Sequence, residues 1–299
     1  MRGVQGLAGS LPSSARDATG AGLGATADRI FHVRRDLVDA NLRRAFPALD
    51  DDARDRIARA SYRHLGREAL TMVAMRARRP DEVRERTAVP GLERLKEAVA
   101  QGRGVVMATA HFGNWELGGA SLAVRGIPTD AVVQKQRNPF VERDVAAMRE
   151  ALGVGQIDRR RAPKQVLRAL RQGRLIAFAA DQNAGRHGVF VPFFGTPAST
   201  HRGAALFAIR ANAPLFFGVA VRLPDGTYES RTYPIDVDRG GPLEEAVTRL
   251  TAAFTSKLED EIRAAPEQYF WLHNRWKTRP SAENVRSEAS GAGTGEGRR

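Results

Sequence analysis

The chain contains no cysteine. Disulfides, thiolate nucleophiles and Cys-based zinc sites are therefore excluded, and the absence fits a reducing compartment. No apolar run reaches the roughly 18 to 20 residues that a spanning helix needs. The residues through Gly24 are small and polar and hold no apolar core of a secretory leader. A soluble or membrane-peripheral protein of the cytoplasm is the expectation. Several catalytic signatures are missing as well. There is no G-x-S-x-G elbow, no G-x-x-x-x-G-K-[ST] phosphate loop and no H-E-x-x-H, so no metal is expected. Gly20-Ala-Gly22-Leu-Gly24 is not a dinucleotide fingerprint, because no strand precedes it and the spacing is wrong. Acidic residues are few: 34 against 47 Lys and Arg, a formal charge of +13. Such a chain favours polyanions, whether nucleic acid, an anionic membrane surface or phosphorylated lipids. An Arg-rich but merely solvated surface accounts for the same charge.

What is present suffices for a sizeable core: 299 residues, 42% of them hydrophobic. The expected fold class is α/β, a central mostly parallel sheet flanked by helices, with an amino-terminal helical region. Residues 1–27 are Gly-, Ala- and Ser-rich and are expected to be disordered. Residues 28–89 read as helical, with a first helix ending before Pro47 and Asp50 as cap of a second. Their arginines fit either a basic helix lying on a membrane or an ordinary surface helix. From residue 90 to 280 helices and strands alternate, and the helices stop at Gly102, Gly126, Gly153 and Gly173. That alternation argues for parallel strands covered by helices. Gln182 to Thr200 reads as a long loop, and residues 281–299 as a disordered tail.

One stretch organises the rest. Val105 to Ala110 is an apolar run that reads as a buried strand; it leads to His111, Gly113, Asn114 and Glu116, and then to a helical pattern. His111 then sits at the carboxyl end of a strand, where open α/β sheets place their ligands. In one continuous helix His111 and Glu116 would point about 140° apart, at 3.6 residues per turn. They meet only if the chain turns between them, at Gly113 and Asn114. An imidazole held by a carboxylate is a general-base arrangement. A core histidine bonded to backbone, followed by a first-turn acid favoured by the helix dipole, has the same pattern.

Asp181 ends another expected strand near the same edge; it suits catalysis, substrate binding or a turn. His32 and His64 lie in helical, Arg-rich context and are expected on the surface. Val189 to Phe194 is too apolar for an ordinary loop, so Phe190, Phe193 and Phe194 are candidates for acyl-chain or membrane contact, with a buried strand as the other reading. Near the carboxyl end Trp271 and Trp276 interleave with His273, Arg275, Lys277 and Arg279. Aromatic plus cationic residues suit a membrane interface or single-stranded nucleic acid, and equally a final core element with a charged exterior.

His111-Phe-Gly-Asn-Trp-Glu116 resembles the H-x-x-x-x-D/E motif of glycerolipid acyltransferases, in the form seen in the bacterial lipid A biosynthesis acyltransferases. Asn138-Pro139 before a helix, Asp181-Gln182, Val189 to Gly195 followed by Thr200, and Pro266 to His273 with Arg275 to Pro280 resemble that family in its order. Asn41-Leu42 and Phe46-Pro47 match its amino-terminal helical part. The resemblance covers roughly residues 28 to 280. It implies transfer of a fatty acyl group from a thioester, acyl carrier protein (acyl-ACP) or coenzyme A (acyl-CoA), to a lipid hydroxyl. No resident cofactor and no nucleic-acid partner are expected. His111 is the implied base and Glu116 its orienting carboxylate. Asn114, Arg137, Asp181 and Arg202 are the candidate substrate-binding residues, and anionic membrane lipids and the donor thioester the expected partners. The implied location is the cytoplasmic face of a bacterial inner membrane. Two departures stand out: the family's hydrophobic anchor helix has no apolar counterpart in Leu11 to Ile30, and Gln134 stands four residues before Asn138 where the family tends to place Arg.

Overall fold

The computed structural model describes residues 12–75, 79–136 and 138–280. Three long helices come first: α1 (Ser13–Arg29), α2 (Arg35–Ala45) and α3 (Asp51–Met75), followed by the short α4 (Pro80–Arg86) and strand β1 (Thr87–Ala88). The alternating part runs α5 (Leu92–Ala100), β2 (Val105–Gly113), α6 (Trp115–Ala123), β3 (Thr129–Val133), α7 (Pro139–Ala151), β4 (Val154–Asp158), α8 (Ala162–Arg171) and β5 (Leu175–Ala179). A hairpin of β6 (Val189–Phe193) and β7 (Thr196–Thr200) leads to α9 (Gly203–Arg210), β8 (Leu215–Arg222), β9 (Tyr228–Ile235) and α10 (Leu243–Ala264).

Seven described strands form one sheet in the order β1-β9-β8-β2-β5-β3-β4. Neighbours run parallel except β8 and β9, which are antiparallel. The α/β reading therefore holds. Both faces of the sheet are covered, as parallel sheets require. Val106, Ala108, Ala110 and Phe112 of β2 pack on one face with Leu42, Val166, Ala208 and Phe254. Val105 and Met107 point the other way, towards Leu95 and Leu122. The central strands are apolar on both sides for this reason.

The amino-terminal expectation needs correction. Residues up to 27 were expected to lack order, yet α1 begins at Ser13. Its glycines are a packing device. Gly20 and Gly24 lie one turn apart on the face that meets Gly66 of α3. A Cβ on Gly24 would stand 2.0 Å from the Tyr62 carbonyl oxygen, and one on Gly66 2.0 Å from that of Gly20. Two backbones this close tolerate no side chain between them. Gly24→Ala is expected to push α1 off α3 and cost about 1–3 kcal/mol, the usual range for overpacking. Thermal melts of the variant check this.

Other elements follow their local chemistry. The Asp50 carboxylate accepts the Ala53 N–H at 2.7 Å, capping α3 as expected. The long loop after Gln182 contains the β6–β7 hairpin. Its turn residues Phe194 (φ 49°) and Gly195 (φ 70°) both take the positive φ that a two-residue primed turn requires. Strand β4 escapes the sequence pattern because Gly155 and Gln156 interrupt its apolar residues. His64, expected on the surface, is 3% exposed. Burial, aided by the Arg222 and Arg67 charges, pushes its pKa down to about 3, so it is neutral.

Candidate active site

The carboxyl ends of β2 and β5 form the site. These strands pair in parallel, with Thr109 opposite Ala179. Two residues beyond this pair on each strand, His111 lies beside Asp181. The imidazole Nδ1 and the Asp181 Oδ1 are 2.8 Å apart. On the other side of β2 the pairing with β8 is irregular: Thr109 faces Gly218, but Gly113 already faces Ala220. The extra residues bulge, and a bulge re-aims the side chains that it carries. His111 lies in this bulge.

His111 is partly exposed, at 24% of its side chain, whereas Asp181 is 2% exposed. Trp115 and Phe270 wall the imidazole, with ring centroids 4.9 and 6.3 Å away. The Phe270 N–H donates to the His111 carbonyl at 3.1 Å. Burial acts to lower the His111 pKa, but the charge and hydrogen bond of Asp181, then the charge of Glu116, outweigh it and raise the pKa above its ordinary value. For Asp181 burial acts upwards, and the His111 charge and hydrogen bonds win and hold its carboxyl below the ordinary range. An ionised carboxylate accepts from Nδ1–H. In the neutral ring that fixes the tautomer and puts the lone pair on Nε2.

Glu116, expected as the partner of His111, is held elsewhere. Arg149 of α7 donates to both of its oxygens, Nε at 2.8 Å and Nη2 at 2.5 Å. Gly113 does turn the chain, at φ +55°. The turn starts α6 rather than folding Glu116 back onto the imidazole. The carboxylate that meets His111 comes from the neighbouring strand instead. Arg149 was missed because nothing local marks it; it reaches Glu116 only after β3 and α7 have formed. Glu116→Gln is expected to lower turnover far less than the loss of Asp181, by about tenfold or less, since it removes a neighbouring charge and not the hydrogen bond to His111. Steady-state kinetics of the two variants side by side measure the difference.

Asn114, expected to touch substrate, is 2% exposed. Its Oδ1 caps α6 by accepting the Leu117 N–H at 2.9 Å, and its amide donates to Glu68 at 2.7 Å. It is a structural cap with no free group. Arg202 pairs with Glu244 at 2.6 Å on the surface. Arg137 lies outside the described residues. Gln134 accepts from Arg159 at 3.3 Å, so a cation reaches the position where the resemblance implies one. Arg159 follows β4, at the same sheet edge.

The aromatic candidates are mostly core. Phe193 and Trp271 are 0% exposed, Trp276 5% and Phe194 8%. Their rings pack against each other and against Phe46 and Tyr269. Only Phe190 is partly exposed. Membrane contact through Phe193, Phe194, Trp271 and Trp276 is therefore ruled out by burial. Arg275 is buried with them, donating to the Ser199 carbonyl at 2.6 Å and to the Thr200 hydroxyl at 2.5 Å. His273 accepts the Asn183 N–H through Nε2 at 2.9 Å. Thus the carboxyl-terminal segment clamps the loop after Asp181 onto the end of β2. Among the described residues no cluster of His, Asp and Glu is suited to a metal.

A histidine and carboxylate at a sheet edge, in a chain without thiols, is equipment for activating a hydroxyl. The family model described as bacterial lipid A biosynthesis acyltransferase matches residues 3–278. The chain is 32% identical over 283 residues to the lipid A biosynthesis lauroyltransferase of Escherichia coli K12, covering 93% of this chain and 90% of that one. It is 31% identical over 293 residues to the palmitoleoyltransferase of the same organism, 94% of this chain and 91% of the other. It is 31% identical over 235 residues to a phosphatidylinositol mannoside acyltransferase of Mycolicibacterium smegmatis, 77% and 74%. The protein is an acyltransferase. The chain belongs to the bacterial lipid A biosynthesis acyltransferase family.

Proposed function

We propose that the protein moves a fatty acyl chain from an acyl thioester to a hydroxyl of a lipid A precursor or a related glycolipid, with His111 as general base. The observation that carries this reading is the His111–Asp181 pair: a partly exposed imidazole, with Nε2 free, bonded to a buried ionised carboxylate. Nε2 takes the proton of the acceptor hydroxyl. The oxygen forms a bond to the thioester carbonyl carbon. The carbon–sulfur bond then breaks, and the leaving thiolate takes the proton back from the imidazolium. Asp181 holds the ring and stabilises its charge throughout. No acyl-enzyme is needed, in keeping with a chain that has no thiol. Glu116 acts at one remove: its charge helps to raise the basicity of His111, and its pair with Arg149 ties α6 to α7.

The donor is an acyl-ACP or acyl-CoA, and the +13 charge suits an acidic carrier protein or a phosphorylated headgroup. Arg159, exposed beside Gln134, is a cation placed for such a phosphate. The mycobacterial relative supports a second reading, acylation of a phosphatidylinositol mannoside, which shares the glycolipid hydroxyl as acceptor. Mass spectrometry of lipids from a strain with and without the protein separates them. Loss of one acyl chain from a lipid A species supports the first reading, and loss from an inositol mannoside the second. An unchanged glycolipid profile would overturn both.

A further inference from the structure

The described residues include no helix long and apolar enough to cross a membrane. Of the aromatic residues expected to touch lipid, all but Phe190 are buried. The two most exposed large apolar side chains among the described residues, Ile30 and Phe31, lie elsewhere. Arg29 to Arg34 reads Arg-Ile-Phe-His-Val-Arg, and all six residues are exposed. Ile30 is 68% exposed, Phe31 70% and Val33 41%. Leu23, 56% exposed, lies seven residues before Ile30, two helical turns along the same face. Exposing side chains of this size to water is unfavourable unless something covers them.

The backbone holds them there. His32 (φ 46°) and Arg34 (φ 56°) both take the left-handed conformation that L side chains rarely adopt. The Tyr62 hydroxyl donates to the Val33 carbonyl at 2.5 Å, and the Val33 N–H to the Ala27 carbonyl at 3.0 Å. Backbone groups thus turn inwards while the apolar side chains turn out. Charge agrees. Arg29, His32 and Arg34 interleave with the apolar residues. The preceding acid, Asp28, is 2% exposed and paired with Arg35 at 2.7 Å, so it presents no charge to the surface. Asp36 is the next exposed acid. The segment also adjoins the site. Arg34 donates to the Leu272 carbonyl at 2.7 Å, and the next residue, His273, is bonded to Asn183, two residues beyond Asp181.

We propose that the exposed tip Ile30-Phe31-His32-Val33, flanked by Arg29 and Arg34, is the surface by which the protein docks on an anionic lipid bilayer. The apolar side chains enter the interface and the arginines meet lipid phosphates. Docking there brings the edge that carries His111 towards the lipid layer. That placement rests on the reading of acyl transfer to a lipid; the docking itself does not.

The experiment uses the full chain and vesicles of phosphatidylethanolamine containing about one quarter phosphatidylglycerol, an anionic fraction in the range that attracts basic segments. Ile30→Ser with Phe31→Ser is expected to lower vesicle binding about tenfold or more in co-sedimentation, from the apolar surface removed. Acyl transfer to detergent-dispersed acceptor should stay unchanged, as should the melting temperature, because neither side chain packs inside. Arg29→Gln should weaken binding to anionic vesicles and leave binding to purely zwitterionic ones alone. Phe31→Trp should show blue-shifted emission on vesicle addition. Equal vesicle binding by wild type and double variant would overturn the proposal. So would a dimer in solution that the double variant dissolves while vesicle binding persists, which would make the tip an interface between copies. A wild type that binds vesicles but acylates no glycolipid would sink the proposed function and leave the docking surface standing.

Discussion

His111→Ala should reduce acyl transfer by about 10² to 10⁴-fold, the range that a positioned general base contributes. Asp181→Asn should fall in the same range, because the imidazole loses both its orientation and the charge that stabilises its protonated form. The two losses should not add. Both remove one unit, so the double variant should be scarcely worse than either single one. If Asp181→Asn kept most of its activity, the pairing would be structural only and the base would lie elsewhere.

The pH profile gives a sharper test. With His111 as the proposed base, the neutral imidazole is the active form, so kcat/KM should fall as pH drops through the His111 pKa. That pKa lies above the ordinary imidazole value because the effects of Asp181 and Glu116 outweigh burial. In Asp181→Asn the main raising influence is gone while burial remains. The acidic limb should therefore move to lower pH, even though the plateau is lower. A merely structural role for Asp181 leaves the limb where it was. The same pair contributes to folding with opposite signs at its two ends. The His111 share is fully present below the unfolded imidazole pKa and is lost as pH rises through the raised folded value. The Asp181 share is present above the unfolded carboxylate pKa and is lost as pH falls through its depressed folded value. Between those limits the pair stabilises the fold, and near the upper limit His111 becomes the neutral imidazole that the proposed mechanism needs.

The His111 strand, the glycine-capped helices and the α/β layering were legible in the sequence because they depend on local pattern. An apolar β-branched run, a positive-φ turn and helix stops are written within a few residues of one another. The partner of His111 was not legible in that way. Asp181 lies 70 residues further on, and meets His111 only because β5 pairs with β2 in register. Strand order is a tertiary fact. Glu116 was chosen on proximity in sequence, and Arg149, 33 residues beyond it, took it instead. The glycines of α1 misled for another reason: a helix that packs backbone to backbone needs the same small residues that mark disorder. Trp271 and Trp276 misled because an aromatic residue beside Arg suits a buried cluster as well as an interface. Arg275 illustrates this, stacking on Phe193 at 5.1 Å inside the core.

Gly113→Val should be the most damaging change that touches no reacting atom. Gly113 takes φ +55°, in the left-handed region, where a β-branched residue is strained by about 1–2 kcal/mol. Space is the larger obstacle. A Cβ would stand 1.9 Å from the Ala220 carbonyl oxygen, and that oxygen accepts the Asn114 N–H at 3.0 Å. The obstacle is backbone of a central strand, so it cannot swing aside. Relief requires β2 to part from β8, and this breaks the bond that seats Asn114. Asn114 in turn caps α6 and satisfies Glu68, a 4%-exposed carboxylate shared with the Tyr228 hydroxyl at 2.9 Å. Disturbing that buried network costs more than the local strain, because its polar groups have no water to turn to. A total loss of about 3–5 kcal/mol is expected, visible as a lower urea midpoint. Turnover of the fraction that still folds should drop about 10²-fold, because a shift near 1 Å in the His111 bulge spoils alignment. Gly118→Ala is the control. Its Cβ would meet only the Ala220 side chain, at 3.2 Å, and both effects should be small. Should Gly113→Val fold and turn over like the wild type, the bulge would not be what aims His111.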